Sequence, residues 1–185
     1  MLDDVAVIVE VKANAMSATS RTGAEPILRR DLTAIITKAA TQAARVEERI
    51  DQDGGLRLYK AGWLDLAHIR EIHTVAVSLE DLPGVATAAG DLIAAGLLNP
   101  AHVPWTVSLH DLQVITDLVD RPAEFLLYLR RRTSPLMPLK FRAPDELDLF
   151  LYFFEAGLFV EPNPHSTSGK LPHLSTPTPS DIRRY

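Results

Sequence analysis

Val5-Ala-Val-Ile-Val-Glu10-Val-Lys12-Ala13 is the stretch on which the fold turns. Apart from Glu10 and Lys12 it contains only alanine, valine and isoleucine, and apolar residues fill both alternating faces. That pattern predicts a strand covered on both sides and central in its sheet. Residues i and i+2 of a strand share a face, so Glu10 and Lys12 project together while Val9 and Val11 point the other way. Burying either charge without a partner costs several kcal/mol, so the polar spot needs a physical account. Two are open. In one, the strand end emerges into solvent and both charges are hydrated at its mouth. In the other, the carboxylate and a neighbouring backbone carbonyl hold a divalent cation, and the ammonium orients water against a phosphate.

Outward from this strand, a polar segment with Ser17, Ser20, Gly23 and Pro26 leads into a helical period over 27–51. Its apolar positions are Leu28, Leu32, Ile35, Ile36, Ala39, Ala43, Val46 and Ile50, and Gln52-Asp-Gly-Gly55 stops it. Leu56–Tyr59 predicts a short strand and Ile69–Leu79 a longer one rich in β-formers. Strand, long helix and strand make a crossover unit with parallel pairing, so the fold class is α/β. A helix is expected over 81–98 and a strand over 103–107. Ser108 can cap a further helix with Asp111 three residues on. Asp120-Arg-Pro122 stops one helix and starts another, and Pro144-Asp-Glu146 opens the last, which Gly157 ends.

The chain of 185 residues suffices for one core. Its formal charge of −5 offers polyanions no general attraction, so any nucleic-acid contact has to be local. Without cysteine, disulfides and thiolate zinc sites are excluded. The start of the chain lacks the pattern of a secretory signal, and no apolar run nears the roughly 20 residues of a membrane span. A cytoplasmic, soluble protein is expected. The histidines form no HExxH pair, and GxSxG, GxGxxG and phosphate-loop motifs are missing. Arg130, Arg131 and Arg132, with Lys140 and Arg142 nearby, form the one strong basic cluster. They read either as cations at a helix C-terminus or as contacts to a nucleic-acid backbone. Trp63, Trp105 and the Phe-rich segment 150–159 read as core or packing surface rather than base-stacking platforms.

The run Val-Ile-Val-Glu10-Val-Lys12, the helix bearing Lys38-Ala-Ala-Thr-Gln42-Ala-Ala-Arg45 and the strand that follows resemble the second half of the PD-(D/E)XK nuclease core. The likeness covers about residues 3–80, and more loosely the strand and helix over 103–118. It implies Glu10 as an acidic ligand of Mg²⁺ or Mn²⁺, Val11 as a second ligand through its carbonyl, and Lys12 beside the hydrolytic water. Gln42 would be the glutamine that some branches carry on the helix facing the site. Lys38, Gln42 and Arg45, spaced i, i+4, i+7, share a stripe able to meet phosphate, or form a solvated helix face.

The family also places an acid further upstream. Asp3 and Asp4 are the acids available, and at about 3.3 Å per residue Asp4 lies roughly 20 Å from Glu10, far outside ligand distances of about 2.0–2.6 Å. The resemblance therefore implies an incomplete restriction-endonuclease-like α/β/α core with a mixed sheet and a helical C-terminal addition. Residues 1–118 would be the partial core, 119–161 the addition packed on it, and 162–185 a disordered tail. Such a truncated core leaves the motif strand with an open edge, to be covered by a second copy or by another protein. The expected function is metal-dependent hydrolysis of DNA phosphodiesters, with activity of this chain alone in question. The alternative is a non-catalytic nucleic-acid-binding or protein-interaction module.

Overall fold

The computed structural model describes residues 4–134, 137 and 143–158. The strands are β1 Val5–Lys12, β2 Gly55–Leu58, β3 Gly62–Asp65, β4 Glu71–Ser78 and β5 Trp105–Ser108. The helices are α1 Ala18–Arg21, α2 Glu25–Leu32, α3 Lys38–Asp53, α4 Ala89–Ala94, α5 Leu109–Leu118, α6 Pro122–Arg132 and α7 Glu146–Ala156. A π turn over Thr33–Thr37 joins α2 to α3 in one rod. The architecture is mixed α/β: β1, β4 and β5 make a parallel three-stranded sheet, and β2 pairs antiparallel with β3 in a separate hairpin. Among the described residues, no helix is long and apolar enough to cross a membrane.

The crossover expected from the sequence is present, since β1 runs through α2 and α3 to its parallel partner β4. Gly54 closes α3 at φ 69°, a left-handed conformation that glycine adopts without steric cost, and its N–H reaches the Ile50 carbonyl at 2.9 Å. Ser108 caps α5 as its spacing predicts, its hydroxyl accepting from the Asp111 N–H at 3.0 Å. Asp145 does the same for α7 through the Asp148 N–H.

Strand β1 is at the edge of the sheet, not its centre; the central strand is β4. Register partners on parallel strands point to one face, so Val9 and Val11 share a face with their partners Val75 and Val77. Val75 and Val77 are buried there under α5, α6 and α7, whereas Val9 is 51% and Val11 52% exposed. The helical layer covers β4 and β5 and reaches β1 only at Val5. Apolar residues on both faces thus identified the strand but not its neighbours. The expected helix over 81–98 is also shorter, reduced to α4. Pro83 and Gly84 fall in its first part, where the chain forms turns with Gly84 at φ 68°.

Two cores result. On one face of the sheet, Val75, Val77, Trp105 and Val107 pack with Ile115, Leu126, Tyr128, Leu129, Leu149 and Phe150. The Tyr128 ring stands edge-on to Trp105 at 5.5 Å and to Phe150 at 5.0 Å. The helical addition therefore shares its core with the sheet. Each fully buried Leu or Phe in this layer contributes roughly 2 kcal/mol. The second core joins Leu32, Ile35, Ile36 and Ala40 to Leu82, Ala86, Leu92 and Leu97. Helix α3 lies against β1 and β4 with Ala39, Ala43 and Ile50 buried. Residues 162–185, read as a tail, lie outside the described residues, as do Lys140 and Arg142.

Candidate functional site

Glu10 and Lys12 leave β1 on the face turned toward α3, as alternation requires. Lys12 Nζ donates to Glu10 Oε1 at 2.6 Å and also to Gln42 Oε1 on α3. The Lys12 side chain is 16% exposed and that of Glu10 30%, so the pair is covered but open to water. The strand end is wet, and Lys12 bridges Glu10 to the glutamine of the following helix. The alanines flanking Gln42 explain the approach. Ala39, Ala40 and Ala43 are buried, and their small side chains let α3 sit close to the sheet.

The carbonyls of Asp4 and Lys12 accept from Arg70, Glu71 and Leu79 N–H groups at β4. Backbone direction alternates along a strand paired in parallel, so Val5, Val7, Val9 and Val11 turn their N–H and C=O groups toward the open edge. The Val11 carbonyl is thereby free of the sheet and one residue from the Glu10 carboxylate. Both are hard oxygen donors of the kind that Mg²⁺ and Mn²⁺ take, usually with one or two carboxylates and several waters. In this respect the residues fit a divalent cation. Lys12 competes for the same carboxylate, and among the described residues no group of three or more His, Asp or Glu side chains is placed to hold a metal.

The site opens at the carboxyl ends of the parallel strands, where open α/β sheets bind ligands. Ser78, the register partner of Lys12, accepts from the Glu80 N–H at 3.1 Å. Glu80, which sequence reasoning passed over, is engaged there: Arg21 Nε donates to it at 3.1 Å and the Met16 N–H also bonds it, tying the segment after β1 to the end of β4. Next to β5, burial pushes the Asp111 carboxyl up, with Asp81 and Asp145 adding repulsion.

The remaining basic residues divide. Lys38 and Arg45 are exposed on α3, on the stripe with Gln42. The arginines of α6 are drawn elsewhere. Arg130 grips Glu71 through Nε and a terminal nitrogen at 2.6 and 2.5 Å, and this contact, with a smaller one from His73, holds the Glu71 carboxyl at about 2. Arg131 is half-buried and engaged as well. Arg132, expected on a nucleic-acid backbone, is 4% exposed and cannot reach one. It donates to Glu146 at 2.8 and 2.9 Å and to the Ala86 carbonyl at 3.2 Å. Glu146, 1% exposed, also accepts from Trp105 Nε1 at 2.7 Å and from the Tyr128 hydroxyl. Burial works against the Arg132 charge, but Glu146 more than offsets it and holds the guanidinium protonated. Trp63, expected as packing surface, is 54% exposed on the β2–β3 hairpin.

No protein-family model matches this chain, and no curated protein or solved structure does so either.

Proposed function

We propose that the chain carries a metal-dependent phosphodiester hydrolase site of PD-(D/E)XK type, built from Glu10, Val11, Lys12 and Gln42. The observation that supports this reading is the convergence of Lys12 on both Glu10 and Gln42 at the open end of β1. When bound, a divalent cation would supply Lewis acidity to the phosphoryl group and lower the pKa of its water. Glu10 and the Val11 carbonyl would hold it. The Lys12 ammonium would counter charge on the scissile phosphate and orient the attacking water by a hydrogen bond; as the water oxygen bonds to phosphorus and the P–O ester bond breaks, the water would release one proton to solvent and the leaving oxygen would take one from solvent. Gln42 positions Lys12 by accepting from it.

The test is cleavage of a labelled DNA duplex and single strand in Mg²⁺ or Mn²⁺. Cleavage that is lost in Glu10→Ala and in Lys12→Ala, with circular dichroism unchanged, is the expected result; unchanged cleavage in either variant would falsify the assignment. A second reading, nucleic-acid binding without hydrolysis, draws on the Glu10–Lys12 ion pair, which already occupies the carboxylate. Salt-dependent DNA binding with no cleavage in either metal is its signature.

A further inference from the structure

We propose that the groove over the π turn binds successive phosphates of a nucleic-acid strand, with Arg29, Arg30 and Lys38 as its cationic lining. The groove has a volume of about 400 Å³, and Pro26, Thr33 and Ala34 complete its wall. It opens broadly to solvent and so fits a passing polymer better than an enclosed small anion. The inference rests on the phosphodiester reading above for its choice of polyanion.

The π turn is what brings these cations together. At about 100° per residue, an unbroken α-helix would set Lys38 about 80° from Arg30 and about 180° from Arg29. Here the Lys38 N–H reaches the Thr33 carbonyl, five residues back, and the extra residue in the turn takes back about 100°. Lys38 then lies about 20° from Arg30 and about 80° from Arg29 around the axis, so that all three line one groove. Burial of Ile35 and Ile36 and the bond from Thr37 Oγ1 to the Leu97 carbonyl at 2.7 Å fix the wide turn in place.

Arg30 is aimed by a chain of contacts. Its Nε and a terminal nitrogen donate to Asp31 Oδ1 at 3.1 and 3.0 Å, while 69% of the side chain remains exposed. Asp31 Oδ2 accepts from the Ser17 N–H at 2.9 Å and from the Ser17 hydroxyl at 2.8 Å. A guanidinium clamped on one edge loses less conformational entropy when its outer edge meets a phosphate. The groove ends one helical turn short of the candidate site, since Gln42 follows Lys38 by about 6 Å of rise. From Arg29 to Gln42 the rod spans roughly 20 Å, the length of about six residues of one duplex strand at 3.4 Å each.

The experiment measures anisotropy of a labelled 20-nucleotide single strand and the matching duplex with the full chain in EDTA, so that cleavage plays no part. Wild type is expected to bind with a steep salt dependence. Arg29→Ala/Lys38→Ala is expected to weaken binding at least about tenfold and to lower the slope of log affinity against log salt by about 2, one for each phosphate that is no longer neutralised. Arg29→Lys/Lys38→Arg, which keeps both charges on exposed positions, is expected to retain binding and so to separate the effect of charge from that of folding. Unchanged affinity and slope in the alanine pair would overturn the proposal. So would failure of the wild type to bind either oligonucleotide, or binding to anionic phospholipid vesicles with none to DNA. Absence of cleavage in Mg²⁺ would overturn the hydrolase reading alone.

Discussion

Two of the carboxylate–cation pairs in the molecule share the same chemistry and lie in opposite surroundings. Glu10 and Lys12 meet at the rim of an edge strand, partly wet, with Gln42 as their one further partner described. Glu146 and Arg132 meet beneath β5 with side chains 0% and 4% exposed, and every neighbour in reach is engaged with them: Trp105, Tyr128 and the Ala86 carbonyl. The buried pair is satisfied and closed, and nothing from solvent can join it. The rim pair is partly exposed and can exchange a contact with water. Partner number and access, more than charge, separate a structural ion pair from one able to do chemistry.

The comparison can be broken most forcefully at the buried pair. Glu146→Ala leaves the Arg132 charge, the Trp105 N–H and the Tyr128 hydroxyl without their acceptor, and a loss of about 3–5 kcal/mol is expected in urea unfolding. A loss below about 1 kcal/mol would mean that water enters beneath β5 and that the two pairs do not differ as described. Trp105→Phe removes one donor while keeping an aromatic ring, and should cost about 1–3 kcal/mol by the same measurement. At the rim, Lys12→Ala should change stability by less than about 1 kcal/mol, because the pair is solvated. Cleavage lost at such a small stability cost would sharpen the contrast; a large stability loss would make Lys12 a structural residue.

The smallest effect concerns pH at a third pair, Glu71 with Arg130. Glu71 binds its proton less readily in the folded chain, at about 2 against an ordinary 4.5, chiefly through the hydrogen bond from Arg130. Its contribution to stability is therefore complete above about 4.5 and is lost as pH falls toward 2. Because Arg130 is half exposed, solvent screens the pair. Arg130→Ala should flatten the urea midpoint against pH in that window and leave the profile above about pH 5 parallel to wild type. Parallel profiles throughout would show that the contact does not perturb Glu71.

Much of the fold was legible because periodicity and caps are local. The β1 strand, the crossover helix with its Gly54 stop, the Ser108 cap and the α7 start are each carried by residues within one or two turns of each other. What escaped is set by distant partners. Nothing in Val5–Lys12 states that helices cover β4 and stop short of Val7. Arg132 reads as one of three adjacent surface cations, and only the arrival of Glu146, fourteen residues on, buries it. The π turn left no trace, since Leu32, Ile35, Ile36 and Ala39 are spaced as an ordinary helix would space them. For the hairpin, one strand was read and its mate over Gly62–Asp65 was missed: Lys60 at φ 64° is no turn signal, and Gly62 at φ 82°, which is one, is followed by only a short run. At the candidate site, the meeting of Glu10 and Lys12 follows from alternation alone, whereas Gln42 was singled out only through the resemblance to the nuclease core. Glu80 was hidden because its role depends on where the segment bearing Arg21 and Met16 folds back.

Among the described residues, the outer margin of β1 has no partner strand. Its free carbonyls and amides end at Val11, one residue from each of the two charges, so any extended peptide zipped along that margin would finish within touching distance of them. Whatever lay along that margin would shield the Glu10–Lys12 pair from water, so the covering of the strand and the hydration of its charges are tied together.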